Sequence, residues 1–268
     1  MKIDPNKIYM MPLIQGPVAE EKEDLRYHYG EIESFALQYE TDFDAIQRLL
    51  PDCFRPAEKP TVTVFFVYNN HVDFMADRGY RMAGVQVAAR FDGEKDHVEG
   101  DYVLVMFEND TIPIIGGREQ SGVPKLYADI STVETQPNGH LRCEASLWGQ
   151  LLISMDLDPL KKQNAIVRFA ASKQINERPW LCYKYIPSLD GPPDAEYPII
   201  FPSDFKVDEV WLGKSGQILF GDPGKHHFTK WQTKLLEVLN TLPVRRVTRT
   251  VHFRGSSILR ADLCHRLR

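Results

Sequence analysis

The sequence is short of cysteine, of long apolar runs and of charge gathered into one block, and each shortage removes a class of protein. Its four cysteines, Cys53, Cys143, Cys182 and Cys264, stand far apart and make no C-x-x-C pair. Neither a disulfide framework nor a structural zinc site is therefore expected. No stretch reaches the roughly 18 apolar residues that suggest a membrane span. Met1 to Gly16 carries Lys2, Asp4, Pro5 and Lys7 where a secretory signal would be continuously apolar. A cytoplasmic protein without a membrane partner is the expectation. The net charge of −5 comes with no long basic run, which gives no electrostatic footprint for nucleic acid. Arg245, Arg246, Arg249 and Arg254 alternate with Val244, Val247, Val251 and Phe253 and read as the solvated face of a strand.

Catalytic and cofactor motifs are also sparse. Leu212-Gly213-Lys214-Ser215 imitates the end of a phosphate-binding loop, but Asp208 stands where its first glycine is required, so a β-turn is expected. His226 and His227 are adjacent and would point apart in a helix or a strand, which is the wrong spacing for a metal site. No serine has glycine on both sides at two positions' distance, so a nucleophile elbow is missing. No metal, nucleotide, flavin or other cofactor is called for.

What remains is a chain of 268 residues, 43% hydrophobic and 26% charged, the balance of a folded protein. No internal run resembles a linker and no repeat is present, so residues 1–268 are read as one domain. Strand signals dominate. Thr61 to Tyr68 is rich in β-branched and aromatic residues, and Val85, Val87, Ala89 and Phe91 alternate with Gln86, Ala88 and Arg90. Asp101 to Phe107 returns after Asp92-Gly93, and Leu126 to Thr135 is expected to pair with Leu141 to Trp148 across Pro137-Asn138-Gly139. Further strands are predicted at Trp180 to Ile186, Phe205 to Leu212, Gln217 to Phe220 and Val244 to Phe253, with turns such as Asp190-Gly191-Pro192-Pro193. Two helices are predicted. One follows the capping pair Thr41-Asp42 with Phe43, Ile46, Leu49 and Leu50 on one face, and Pro51 stops it. The other runs from Phe228 to Leu239 with Trp231, Leu235, Leu236 and Leu239 on its apolar side. The fold class is α+β, mostly antiparallel and curved or barrel-like.

Ile115 to Lys125, with sequence IGGREQSGVPK, is too long and too specified for a simple turn. Its three glycines permit close backbone approach, and Pro124 holds Val123 extended, so Lys125 enters the next strand from a constrained base. Composition alone does not mark this lysine, because a lysine at a strand start usually faces solvent.

The pattern G-R-E-x-x-G-x-P-K resembles the signature of the acetoacetate decarboxylase family, whose Schiff-base lysine directly follows the proline. The resemblance runs from about Tyr27 to near Leu263 and includes Gly100-Asp101-Tyr102, Ile186-Pro187, Asp190-Gly191 and Leu242-Pro243-Val244. It implies a mostly antiparallel, cone-like β-barrel around a buried pocket, with Lys125 attacking the carbonyl of a small oxo-acid substrate. Such an amine must be unprotonated, yet an ordinary lysine titrates near ~10.4. Burial disfavours the charged form, and acetoacetate decarboxylase is itself the usual illustration of a lysine activated in this way. The resemblance also implies a homo-oligomer.

Departures from the family pattern bear on the substrate. Leu126 replaces the family's second lysine, which leaves desolvation rather than a neighbouring charge to activate Lys125. The family's N-terminal arginine falls near Gly30 or Ile32, and its glutamate falls on Met82. Arg118, Glu119 and Gln120 near Lys125, and His28, Tyr29, Glu31 and Arg81 beside the altered positions, are the candidates to replace them, together with Met82 as a pocket residue. For Arg118 and Glu119 a loop-pinning role is equally open. The Gln120 amide would orient a carboxylate or bond the loop backbone, while Tyr102 and Trp148 are assigned to the core. Three functions stay open: a β-keto acid decarboxylase acting poorly on acetoacetate, an aldolase or dehydratase using pyruvate-like 2-oxo acids, and a binding protein that has kept the pocket without turnover.

Overall fold

The computed structural model describes residues 2–225 and 228–268; the His226-His227 pair lies outside them. The long strands are β1 (Arg26–Glu40), β2 (Thr61–Val72), β3 (Arg78–Asp92) and β4 (His97–Glu108), followed by the short β5 (Lys125–Tyr127). Next come β6 (Leu141–Leu147), β7 (Gln150–Leu157), β8 (Trp180–Ile186), β9 (Ala195–Phe201), β10 (Ser203–Gly213), β11 (Gly216–Phe220) and β12 (Arg246–Arg260). Four α-helices are present among the described residues: α1 (Phe43–Gln47), α2 (Thr111–Glu119), α3 (Ala165–Asn176) and α4 (Lys230–Leu239).

The large sheet runs β10-β12-β1-β2-β3-β4-β8-β9, with two-residue strands at its edges. No ladder joins its first strand to its last, so the sheet is curved but open, where the family resemblance implied a barrel. Its neighbours are antiparallel except at β4, which pairs in parallel with β8 at Trp180 and Leu181 and with β5 at Lys125 to Tyr127. These two parallel contacts are the exceptions in a mostly antiparallel sheet, and both exist because α2 and α3 carry the chain back to the same edge.

Alternation along the central strands gives the sheet two different faces. Leu37 and Tyr39 of β1, Val64 and Phe66 of β2, and Val85 and Val87 of β3 pack into a core with Cys143, Ile153, Met155 and Leu236. The second sheet, built on β6, β7 and β11, and the helices α1 and α4 supply that far side. The opposite face presents Ile32, Phe65, Val67, Met82 and Met106 to a cavity. Buried on both sides, β3 therefore hides Gln86 and Ala88 as well as Val85 and Val87, which is why its alternation in the sequence is incomplete.

Several predicted elements are redrawn. The segment from Leu126 to Thr135 is broken into β5 and the pairs Asp129–Ile130 and Glu134–Thr135, and only those two pairs reach β6. Trp148 is 65% exposed in a left-handed turn between β6 and β7, whereas Tyr102 is in the core as expected. Trp231 is 78% exposed, leaving Leu235, Leu236 and Leu239 as the packed side of α4. Two helices, α2 and α3, were not anticipated. In α2, Asp110 caps the N-terminus by accepting from the Ile112 amide at 2.8 Å, and Pro113 occupies the first turn, where its missing N–H costs nothing. All four cysteines are free, and no described helix is long and apolar enough to cross a membrane.

One rim of the cavity is tied by charge. Asp262 accepts from Arg26 at 2.8 Å and from Arg260 at 2.9 Å, and Arg260 also holds Asp204 at 2.8 Å. Arg260, and behind it Arg26, hold the Asp262 carboxyl down to about 2. A depressed carboxyl contributes stability that is complete above its ordinary value of 3.8 and lost as pH falls through about 2. Asp262→Asn should lower the melting temperature at neutral pH by a few degrees. The gap to the unaltered protein should close as the melts are repeated at pH values falling through that window.

Candidate functional site

The cavity has a volume of about 1020 Å³ and runs along the concave face of the large sheet. Lys125 enters it from the start of β5, where the β4 ladder sets Lys125 beside Met106. The Lys125 amide bonds the Val123 carbonyl at 2.8 Å and Met106 bonds the Pro124 carbonyl at 3.0 Å, so the proline fixes the approach of the strand. Arg118 donates to the Lys125 carbonyl at 3.0 Å. Lys184 of β8 donates to the carbonyls of Glu119 and Gln120 at 2.5 and 3.3 Å, a cation at the negative end of α2.

The lysine side chain is 9% exposed. Its Nζ lies 2.8 Å from Oε1 of Glu108 and donates to the Pro113 carbonyl of α2 at 2.9 Å. Glu108 is fully buried, and among the described residues, beyond the ion contact, neither of its oxygens accepts a well-directed hydrogen bond. Burial pushes its carboxyl above the usual range, and the ammonium beside it offsets only part of that rise. A carboxylate so placed accepts a proton more readily than one in water.

Two adjacent glycines of α2 differ in what a side chain would meet. A Cβ on Gly117 would stand 2.4 Å from Lys125 Cε and 2.6 Å from Nζ, whereas one on Gly116 would meet nothing within 4 Å. The lysine reaches Glu108 only across the bare backbone of Gly117. Tyr29 and Tyr80 lie further along the same wall with their hydroxyls 3.0 Å apart. Burial raises both phenols above their ordinary value, so they stay protonated, and one of the two hydroxyl protons remains available to a ligand. Cys182 is buried nearby and burial pushes its thiol up to about 12, which leaves it inert.

The candidates named from the sequence separate into those the cavity contains and those it does not. Lys125, Tyr29, Met82 and Gln120 line it. Gln120 accepts from the Tyr27 hydroxyl at 3.0 Å and donates to the Met10 sulfur, so its amide braces the entrance. Arg118, Glu119, Glu31 and Arg81 are absent from the lining. Arg118 pins the Lys125 backbone, Glu119 accepts from the Met11 amide at 3.4 Å, Glu31 is exposed, and Arg81 donates to the Ile130 carbonyl at 2.9 Å. His28 is exposed on β1. The neighbouring charge that the sequence reading did not foresee is Glu108, which faces Met82 directly in the β3–β4 register. Its signal was present: Glu108 is the acidic residue that ends the apolar run Val103 to Phe107, on the same side of the strand as Met106.

A curved antiparallel sheet that carries a buried lysine on the loop signature read above defines one class of fold and site. The acetoacetate decarboxylase family model matches residues 10–265, and the chain belongs to that family. The acetoacetate decarboxylase of Clostridium acetobutylicum is 28% identical over 248 residues, covering 89% of this chain and 89% of that protein. Acetoacetate decarboxylase 1 of Bradyrhizobium diazoefficiens is 28% identical over 87% of this chain and 84% of that one. Among solved structures, acetoacetate decarboxylase from Legionella pneumophila superposes with a TM-score of 0.72 at 20% identity, over 97% of this chain and 96% of that one. The enduracididine biosynthesis enzyme MppR complexed with pyruvate gives 0.71 at 15% identity over 99% of both. At these identities the structures establish the fold.

The Gly117 contact yields a direct test. Gly117→Ala and Gly116→Ala each add one methyl to α2, where either exchange should gain helix stability of up to about 1 kcal/mol. Only Gly117→Ala should displace the lysine, cutting any reaction at Lys125 by about ten-fold or more. Equal rates of lysine modification in the two variants would refute the assigned role of Gly117.

Proposed function

We propose that the protein is a lyase in which Lys125 forms a Schiff base with an oxo acid and Glu108 moves the protons that this chemistry requires. The observation that carries the reading is the buried lysine–carboxylate contact at 2.8 Å in the wall of an apolar cavity. Attack needs a neutral amine. Transfer of one ammonium proton from Nζ to Glu108 supplies it, and the raised affinity of that carboxyl for protons lowers the cost of the transfer. Nζ then adds to the carbonyl carbon, Glu108 returns its proton so that the hydroxyl leaves as water, and a protonated imine remains as an electron sink.

Decarboxylation of a β-keto acid is the leading reaction. The electron pair of the bond to the departing carboxylate flows into the iminium, carbon dioxide leaves, and the resulting enamine takes a proton at carbon. Glu108, protonated again from solvent, delivers that proton beside the reacting atoms, and addition of water to the iminium frees the lysine. The Met82, Ile32 and Met106 side chains around the pair favour this step, because an apolar wall disfavours the carboxylate more than the neutral gas it becomes. Acetoacetate fills little of a cavity of about 1020 Å³, so a larger oxo acid with an apolar tail suits the site better.

A second reading, aldolase or dehydratase chemistry on a pyruvate-like 2-oxo acid, is favoured by the Tyr29–Tyr80 hydroxyl pair. These neutral donors suit a carboxylate that stays in place rather than leaving.

Borohydride reduction in the presence of a medium-chain oxo acid should add one substrate mass at Lys125, and Lys125→Ala should remain unlabelled; an adduct mapped to another lysine rejects the assignment. Carbon dioxide release separates decarboxylase from aldolase, and a failure to label any lysine leaves a binding protein.

Glu108→Gln tests the proton transfer. In the unaltered enzyme, kcat/KM should fall on the acid side as Glu108 becomes protonated, with that limb above the ordinary carboxylate value of ~4.3. The variant should lose about 10²–10⁴-fold in rate together with that limb. Retention of the limb would assign it to another group.

A further inference from the structure

Arg249, which reads from the sequence as part of a solvated basic face, lines the interior of the cavity instead. It belongs to a polar row that crosses the concave sheet at one level: Arg249 of β12 lies opposite Gln38 of β1, Gln38 opposite Thr63 of β2, and Thr63 opposite Gln86 of β3. The next level is apolar, with Val251, Ala36, Phe65 and Met106; Lys125, in register with Met106, reaches past it to the Glu108 level beyond. Phe65 stacks there on Trp180, and Trp180 on Phe201. The cavity thus changes from reactive to apolar to polar along its length. Gln86 lies four positions from Met82, the cross-strand partner of Glu108, or about 13 Å at ~3.3 Å per residue.

The middle of the row is satisfied internally and its ends are not. Gln38 donates to Thr63 at 3.4 Å and accepts from Thr248 at 3.1 Å. The buried Nε of Arg249 and the buried Oε1 of Gln86 have no partner among the described residues. Among the described residues the Arg249 side chain makes one hydrogen bond, to Gln174 of α3 at 2.8 Å. No acid among those residues is in contact with it: Arg178 holds both Glu99 and Asp101 at 2.9 Å, although Asp101 stays within electrostatic reach of Arg249, and Glu58 sits exposed at the rim. A partly buried guanidinium with a free donor and no carboxylate in contact with it is suited to an anion. The Gln86 amide can turn about its last bond to offer either a donor or an acceptor.

We propose that this row is a second recognition subsite, and that the ligand of the cavity is a carbonyl compound with an apolar middle and a terminal anionic group, a carboxylate or its equivalent, held by Arg249 and Gln86. The proposal rests on the reading of Lys125 as the group that captures the carbonyl, and it narrows the substrate class to molecules that are charged at the end remote from the reacting carbon.

The test compares methyl hexyl ketone with the same ketone carrying a carboxylate in place of its terminal methyl group. Borohydride trapping at Lys125 is followed by intact mass across a concentration series. In the unaltered protein the carboxylated ketone should reach half-saturation at a concentration about ten-fold lower or more. In Arg249→Met the ratio between the two ketones should fall to near one, and in Gln86→Leu, which keeps the charge, it should fall part of the way. Equal half-saturation of both ketones in the unaltered protein, or a preference that survives Arg249→Met, overturns the subsite. If neither ketone labels Lys125, the Schiff-base reading fails while the subsite is still decided by calorimetry with octanoate, which needs no carbonyl. Binding weakened about ten-fold by Arg249→Met then upholds the subsite, and equal or absent binding in both proteins rejects it. Should Arg249→Met fail to fold, the same comparisons are read from Gln86→Leu, where an unchanged ratio counts against the proposal.

Discussion

The contact between Lys125 and Glu108 is the interaction around which the site is built. Burying an ammonium and a carboxylate costs several kcal/mol per ion unless each is well compensated, and here the compensation is local. The Pro113 carbonyl accepts a hydrogen bond from the ammonium, Gly117 leaves the space that the side chain crosses, and Arg118 fixes the Lys125 carbonyl. All three belong to α2 or its first turn, so the helix holds the lysine in place as much as β5 does. The signature G-R-E-x-x-G-x-P-K follows from that arrangement. Its first glycine clears the lysine, its arginine pins the strand, and Gly122, with φ of +68°, turns the chain against Lys184.

Such a pair needs rigid support next to empty space, and the two-faced sheet provides it. Residues at alternate positions of β1, β2 and β3 pack against the second sheet and α4, where each fully buried aliphatic or aromatic side chain contributes about 1.5–3 kcal/mol. The intervening residues face the cavity. Stability is therefore drawn mainly from the outer core, and the inner face can carry Glu108, Asn69, Gln86 and Arg249 with unpaired polar atoms. A one-sided sheet would have to place those groups where its only core should be.

What could be read from the sequence follows the same division. The strands with a regular outer face, Thr61–Val72 and Arg78–Asp92 among them, were legible because Val62, Val64, Val85 and Val87 repeat with the period of a strand. Lys125 was legible through the signature around it. The helix α2 was not, because Pro113, Gly116 and Gly117 are poor helix formers by propensity, and its formation depends on the Asp110 cap and on contacts with β5. Arg249 was misread for a related reason. Alternation identifies the two sides of a strand without saying which side is wet, and β12 turns its charged side at this position into the cavity. Glu108 was missed because its role depends on register, which no single strand records.

Register also bears on how a departure from the family pattern should be weighed. The position on β3 where the family resemblance implied a glutamate holds Met82, yet Met82 and Glu108 are directly opposed across β3 and β4. Opposed residues in antiparallel strands have Cβ atoms only about 4.5–5.5 Å apart. A carboxylate can therefore pass from one strand to the next while its charge stays within reach of the same ammonium. The direction of approach does change. Glu108 lies on β4, the strand that pairs with β5, so carboxylate and lysine are carried by neighbouring strands of one ladder, and the apolar Met82 is left facing the ligand. The loss of an acid at one position, read alone, suggests a disarmed site. Together with its cross-strand partner it describes a site in which the carboxylate is held closer to the lysine's own strand and the freed wall is apolar.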